Sequence, residues 1–253
     1  MVDAWGVIAS LSLVAVAIAL SLWWRLGLHV PLVVAAARAI GQLLLVGLVL
    51  IPVLRSDAEL WWSWVWVGAM LLIALAVVRR RTRSAGEHRP GMWATLFGVG
   101  APVAVCLAIV FGLGVFELRP ATLVPIAGII LGNSLPATVA GALRYEAQLL
   151  TDRPQVEAML ALGFEPSAAI RRTVQTTIRD ALVPQIERTN LVGLVALPGA
   201  MTGLILAGVD PIEAVLAQIV VMFLVLGAVA VTATLMTLAG ARTTFTLDRR
   251  LAR

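Results

Sequence analysis

Apolar residues in this chain neither alternate with polar ones nor recur as a single stripe at helical spacing. They come in seven continuous runs, over 5–24, 30–53, 60–78, 92–115, 121–143, 191–209 and 212–238. Each run is about 19 to 27 residues long, enough for an α-helix to cross a hydrocarbon layer roughly 30 Å thick with some tilt. A membrane β-barrel would alternate apolar and polar positions. In lipid the backbone must otherwise satisfy itself within one helix. The pattern predicts an all-α polytopic bundle of about seven transmembrane helices, forming one domain over 1–253.

Composition agrees with the pattern. Hydrophobic residues make up 60% of the 253, charged residues 13%, and mean hydropathy is +0.98. A soluble domain of this length would carry about twice that charge. Every cationic side chain besides the two histidines is arginine, and lysine is absent. The arginines flank the apolar runs, so a pI of 11.1 reads as topology signalling rather than nucleic-acid binding. Arg25, Arg79, Arg80, Arg81, Arg83, Arg89, Arg144, Arg153, Arg171, Arg172, Arg179, Arg188, Arg242, Arg249, Arg250 and Arg253 fall on one side, Arg55 and Arg119 on the other. With positive charge inside, the N-terminus is outside and the C-terminus cytoplasmic, which requires an odd number of spans. Trp23 and Trp24 close the first run, and Trp61, Trp62 and Trp64 open the third, at headgroup depth. The first run, lacking a basic leader, reads as a span and not as a cleaved signal.

One connection stands out. Residues 144–190 form a charged cytoplasmic segment of about 47 residues, and long connections tend to carry function. Thr151, Asp152 and Pro154 predict a helix start, Gly163 its stop, and Ser167 the cap of a second helix ending near Pro184.

The chemistry is sparse. Without lysine there is no G-x-x-x-x-G-K-[ST] phosphate loop, so ATP-driven work needs a second chain. His29 and His88 sit in short loops, and no hydrolytic motif or intramembrane carboxylate pair is present, so no catalytic site and no cofactor are expected in this chain. Cys106, alone in an apolar run, reads as a small buried hydrophobe. Met70, Met201, Met222 and Met236 read as bundle filler, with soft metal ligation the alternative; no metal ligand set is assigned. Within the spans, Arg38 and Gln42 share a helix face. Arg38 either faces a partner or aqueous path or snorkels to the headgroups. Asn133, Ser134 and Thr138 interrupt the fifth run after Gly128 and Gly132, which permit close helix contact. Arg38, Gln42, Asn133 and Ser134 are the candidates for a translocation path. Gly199 and Gly203 repeat that spacing beside Pro198, which predicts a kink in the sixth span. Glu213, the acid just inside the last run, is the residue a gradient-driven carrier or channel would use. That alternative stays open, as does a structural membrane-assembly protein without flux.

Two sets of residues carry a resemblance. Glu157-Ala158-Met159-Leu160-Ala161-Leu162-Gly163, followed by Ala181-Leu182-Val183-Pro184, is similar to the coupling segment of ABC-transporter membrane subunits, with Met159 where a second alanine is usual. The second set comprises Arg38-Ala39-Ile40 with Gln42, Pro125-Ile126-Ala127-Gly128, Gly132-Asn133, the stretch from Val192 to Gly199, and the stretch from Thr202 to Pro211. It resembles the FetB-type iron-export permease family, whose plant relatives are the aluminium-tolerance permeases. The resemblance implies a permease domain in the cell membrane, in bacteria the inner membrane, built as a homodimer. A separate ATP-binding subunit would dock on Glu157, Ala158 and Gly163 of the coupling segment 144–190. The cargo it implies is a metal ion such as iron, with a nucleotide sugar as the alternative suggested by the plant members.

Overall fold

The computed structural model describes residues 4–53, 60–83 and 90–245. His88, Arg55, Arg89, Arg249, Arg250 and Arg253 lie outside the described residues. The described chain is helical almost throughout, in the order α1 Ala4–Trp23, α2 His29–Val53, α3 Leu60–Arg81, α4 Met92–Gly112, α5 Pro120–Ala161, α6 Pro166–Ala169, α7 Arg171–Leu191, α8 Gly199–Leu206 and α9 Pro211–Arg242. This is the all-α membrane bundle that the apolar runs require. Five helices, α2, α3, α4, α5 and α9, are long and apolar enough to cross a membrane, and α1 adds a shorter apolar stretch, Ile8–Trp23.

The chain divides into two compact units, residues 1–58 and 59–253. In the first, α1 and α2 pack as a hairpin. Its turn uses left-handed backbone at Arg25 (φ 51°) and Gly27 (φ 70°), and the buried Ser21 hydroxyl accepts from the Leu28 amide at 3.0 Å. His29 opens α2, half-buried, rather than sitting in a loop.

The second unit is organised on α5 and α9, which run parallel. Gly141 of α5 lies against Ala233 and Thr237 of α9, and the Tyr145 hydroxyl meets the Thr244 hydroxyl at 2.6 Å just beyond the end of α9. A Cβ on Gly141 would stand 3.1 Å from the Thr237 hydroxyl and 3.3 Å from the Ala233 carbonyl, so the absent side chain sets this spacing. Helix association in lipid depends on such close approach, because apolar surface alone gains little there. α3 packs on α5 and α4 on α9, with Val78, Val99, Val110, Leu123, Ala127, Ile130 and Met236 in the shared core. A Cβ on Gly128 would stand 3.1 Å from the Met70 methyl and one on Gly98 2.8 Å from the Met236 sulfur, so both methionines fill space that these glycines leave. Cys106 is buried here and points its thiol at the Leu224 carbonyl, 3.7 Å away.

Three expectations change. First, α5 does not restart at Thr151. It continues 42 residues through Pro125, Pro136 and Pro154, carrying the fifth span directly into the polar segment. Thr151 bonds back to the Ala147 carbonyl, and Asp152 accepts from Gln148 and from Thr173 of α7, so neither caps a new helix. Second, α7 does not stop at Pro184. A proline leaves the carbonyl four residues earlier without its partner, and that carbonyl, Asp180, accepts instead from the Arg144 guanidinium. Third, the run 191–209 is not one kinked helix. Gly193 (φ 86°) and Gly208 (φ 89°) take backbone open mainly to glycine, Pro198 starts α8, and only eight residues between them are helical. The spacing of Gly199 and Gly203 makes no close contact, since a Cβ at either would meet nothing within 4 Å, and the same holds for Gly132.

Gly141→Val forces the α5–α9 contact apart, and overpacking of this kind costs about 1–3 kcal/mol. Gly132→Ala meets open space and gains helix propensity of up to about 1 kcal/mol. Thermal unfolding in detergent, followed by tryptophan fluorescence, should show a clear drop in midpoint for the first and none for the second.

Candidate functional site

Two features of the second unit concentrate its polar chemistry. The first is the turn joining α5 to α7. At the end of α5 the Phe164 amide bonds the Met159 carbonyl and the Gly163 amide bonds the Leu160 carbonyl, both at 3.0 Å. This is a Schellman closure, and it places Gly163 in left-handed backbone at φ 86°. The helix stop expected at this glycine is present. Pro166 then starts the single-turn α6, and α7 returns alongside α5.

Glu157, Ala158, Leu162 and Phe164 are exposed on this turn, with Leu162 at 78% and Phe164 at 51%. Glu157 pairs with Arg153 at 2.8 Å one helical turn away; both are solvated, so the pair adds little stability. Met159, where the coupling pattern has alanine, is turned partly inward against a small core of Tyr145, Leu149, Val156, Ala169, Ile170 and Ala241. Asp152 adds a polar brace, accepting from Thr173 at 2.7 Å and Gln148 at 3.0 Å. The turn is therefore a stiff projection whose core includes the end of α9.

The second feature lies where α7 gives way to α8. The loop between them closes on itself: Val195 and Ala196 amides bond the Leu191 carbonyl, and the Gly193 amide bonds the Ala196 carbonyl. Irregular backbone among apolar helices persists only if its polar groups are satisfied in this way or line a cavity. The loop meets the first condition in part, and the second also applies. Cavities of about 300 and 430 Å³ adjoin the loop and share Val192, Pro198, Gln218 and Met222. A smaller one of about 120 Å³ shares Asn133, Gln185 and Arg188 with the first.

Depth gives these residues meaning. α7 runs antiparallel to α5, with Asp180 beside Arg144 and Arg188 lining the same cavities as Asn133. Asn133 is midway along the apolar part of α5, about 20 Å from its start at Pro120 by helical rise. Arg188 therefore lies at the level of Asn133, exposed at the edge of these cavities, and not in the polar connector in which the charge pattern puts it. Removing it from the larger arginine set leaves fifteen against two, so the charge asymmetry survives.

The path candidates separate. Asn133 lines the cavities, with its amide nitrogen donating to the Ile129 carbonyl at 2.8 Å. Ser134 is fully buried and donates to Ile130, and Thr138 to Ser134, so both serve the helix. Arg38 and Gln42 are exposed on α2 of the first unit, whereas every residue lining the cavities belongs to the second. Glu213 is exposed in the first turn of α9, its amide bonded to the Asp210 cap. Gln185, Arg188 and Gln218 are the residues that sequence reasoning missed. Gln218 was legible as an amide inside an apolar run; Arg188 was not, because its neighbours are polar.

A multi-pass α-helical membrane protein with a discontinuous span and a projecting helical turn is the class these features define. Over residues 4–245 the chain matches the model of the Uncharacterised protein family (UPF0014), and it belongs to that family. It is 36% identical to the UPF0014 membrane protein STAR2 of Oryza sativa subsp. japonica over 231 residues, covering 91% of this chain and 79% of the relative. It is 32% identical to the probable iron export permease protein FetB of Escherichia coli over 222 residues, 86% and 82% of the two chains. It is 30% identical to the protein ALUMINUM SENSITIVE 3 of Arabidopsis thaliana over 224 residues, 88% and 80%. No solved structure matches the chain.

Arg144→Ala removes the donor that replaces the Pro184 amide. Both residues are exposed, so water partly replaces the lost donor and the cost stays within the roughly 0.5–1.5 kcal/mol of an ordinary hydrogen bond. Amide hydrogen exchange over 180–191 should accelerate in this variant while exchange in α9 stays near wild type.

Proposed function

We propose that this chain is the membrane-spanning permease subunit of an ABC exporter, working as a homodimer with a separate ATP-binding subunit. The reading rests chiefly on the capped turn at Gly163. It ends a helix that begins in the apolar bundle, and it presents Glu157, Ala158, Leu162 and Phe164 outward from a rigid base. A small, stiff, mixed-polarity projection suits a groove on a soluble partner. The arginine asymmetry puts this turn and the C-terminus on the cytoplasmic side, where ATP is available.

Under this reading, ATP-driven closure of the partner pair moves the docked turns. α5 and α7 carry that movement into the bundle, where it changes access to the cavities at the α7–α8 break. The name of FetB makes iron the first cargo to test.

Gly163→Val puts a β-branched residue where φ is 86°, a left-handed position that costs an L-residue about 1–2 kcal/mol. A Cβ there meets nothing within 4 Å, so the damage is confined to the turn. Purified from native membranes in mild detergent, the wild type should carry a stoichiometric ATP-binding subunit, identified by mass spectrometry. Gly163→Val with Glu157→Lys should lose it while the protein stays folded, its thermal midpoint lower by no more than about 2–8 °C. Absence of such a subunit from the wild type, in detergent that preserves a known ABC complex, overturns the reading.

A further inference from the structure

The cavity at the α7–α8 break has a chemistry of its own. Its polar side chains are Asn133 of α5, Gln185 and Arg188 of α7 and Gln218 of α9, and the start of α8 lines it as well. Arg188 makes no ion pair among the described residues. Gln218 is only 7% exposed, and its Oε1 has no hydrogen-bond partner, which leaves a buried acceptor waiting for a donor. The start of α8, at Pro198, Gly199 and Ala200, lines the same space and has no side-chain cap, so its first amide groups are left for another partner. No carboxylate, histidine or cysteine lines it.

The helix ends sharpen the sign of the field. Arg188 lies in the last turn of α7, whose negative end it already balances. The positive end of α8 has no such counterpart. Arg188 is exposed at the edge of the cavity, so its guanidinium is within reach of a solute that enters there. A bare metal cation would face this positive field without a single anionic ligand. A solute oxygen bearing negative charge would meet Arg188 through two parallel bonds and the α8 amides from the side. A hydroxyl on the same solute would donate to Gln218 Oε1.

We propose that this cavity is a binding site for a hydroxyl-bearing oxyanion, and that any metal cargo enters it as an oxyanion chelate, not as a free ion. The proposal rests on the permease reading only in calling the ligand a cargo. Hydroxycarboxylates and phosphate esters share the chemistry, and the two are told apart by titration.

The full chain, in maltoside micelles that contain neither phosphate nor carboxylate, is titrated calorimetrically with citrate, ferric citrate, glycerol phosphate and ferrous chloride. Citrate or glycerol phosphate should bind, whichever fits identifying the oxyanion class, and ferrous ion alone should give no saturable heat. If the chelate form is carried, ferric citrate binds within a few-fold of citrate. Arg188→Gln should weaken oxyanion binding about 10-fold or more, as expected for losing a charge-assisted pair. Gln218→Glu keeps the side-chain length but adds a negative charge, and should weaken it at least as much. If Arg188→Gln does not give a monodisperse protein, Gln218→Glu carries the test. Saturable ferrous binding that is unchanged or tightened in Arg188→Gln overturns the proposal. So does an oxyanion affinity that neither substitution alters. The titration contains no ATP-binding subunit, so its failure leaves the docking reading standing, and loss of that subunit leaves the titration unaffected.

Discussion

The spacing of α5 and α9 at Gly141 governs much of what surrounds it. With no side chain on α5 at that level, the Ala233 backbone and the Thr237 hydroxyl of α9 come within contact distance of the place a Cβ would occupy. Below it, Ala137 packs with Val229 and Ala233 in one small-residue core; beyond it, Tyr145 reaches Thr244. Lipid chains are as apolar as leucine, so large side chains alone would not hold two helices together here. Parallel helices in one chain need a crossing connection between them. That connection is the whole of α6, α7, the loop and α8. The polar turn and the break are therefore both parts of one excursion that leaves α5 and comes back to start α9 beside it.

Polar groups within that excursion are distributed by what the backbone lacks. Pro184 removes one amide from α7, and Arg144 makes up for it at the Asp180 carbonyl. The glycine-closed loop at 192–198 folds back on itself, with the Val195 and Ala196 amides on the Leu191 carbonyl and the Gly193 amide on the Ala196 carbonyl. Among the described residues, hydroxyls of Thr177 and Thr232 also stay unpartnered, but the Gln218 Oε1 is the one that lies at a cavity beside Arg188 and the start of α8. Buried groups without partners carry a penalty of about 1–3 kcal/mol each, more when charged. A buried acceptor without a donor, beside an exposed guanidinium and an uncapped helix start, is a combination that a ligand would satisfy.

The sequence shows the membrane class and most helices plainly, because a continuous apolar run has few alternatives to a spanning helix. It also shows the turn at Gly163, since a helix pattern ending on glycine has a defined backbone consequence. It misleads where polar composition and depth part company. α7 is polar enough to read as a solvated connector, yet its last turns lie beside Asn133 at mid-bundle. Conversely, 191–209 is apolar enough to read as a full span, yet glycine at 193 and 208 and proline at 198 break it. Hydropathy counts side chains, and neither error can be seen without knowing which carbonyls find partners. Arg38 and Gln42 shared a predicted face, but a face alone does not say what it meets; the cavity-lining amides came from helices the pattern did not pair.

The two features are joined by a single lever. α7 begins at Arg171, at the foot of the capped turn, and reaches Arg188 about 26 Å further along by helical rise. Asp152 and Ile170 hold its start against α5, and the residues around Ala181 and Gln185 hold its middle against α5 and α9. A helix braced at the start and middle but ending in a loop of glycine-dependent geometry has its freedom at the far end. Displacement of the turn is then felt least in the braced core and most at Arg188 and the first turn of α8. Those are the groups whose positive field faces the cavity. A push on the turn would change the separation of these two positive elements before it disturbed α5–α9 packing. That is a physical route by which an event at a surface projection could alter how tightly an oxyanion is held at mid-bundle.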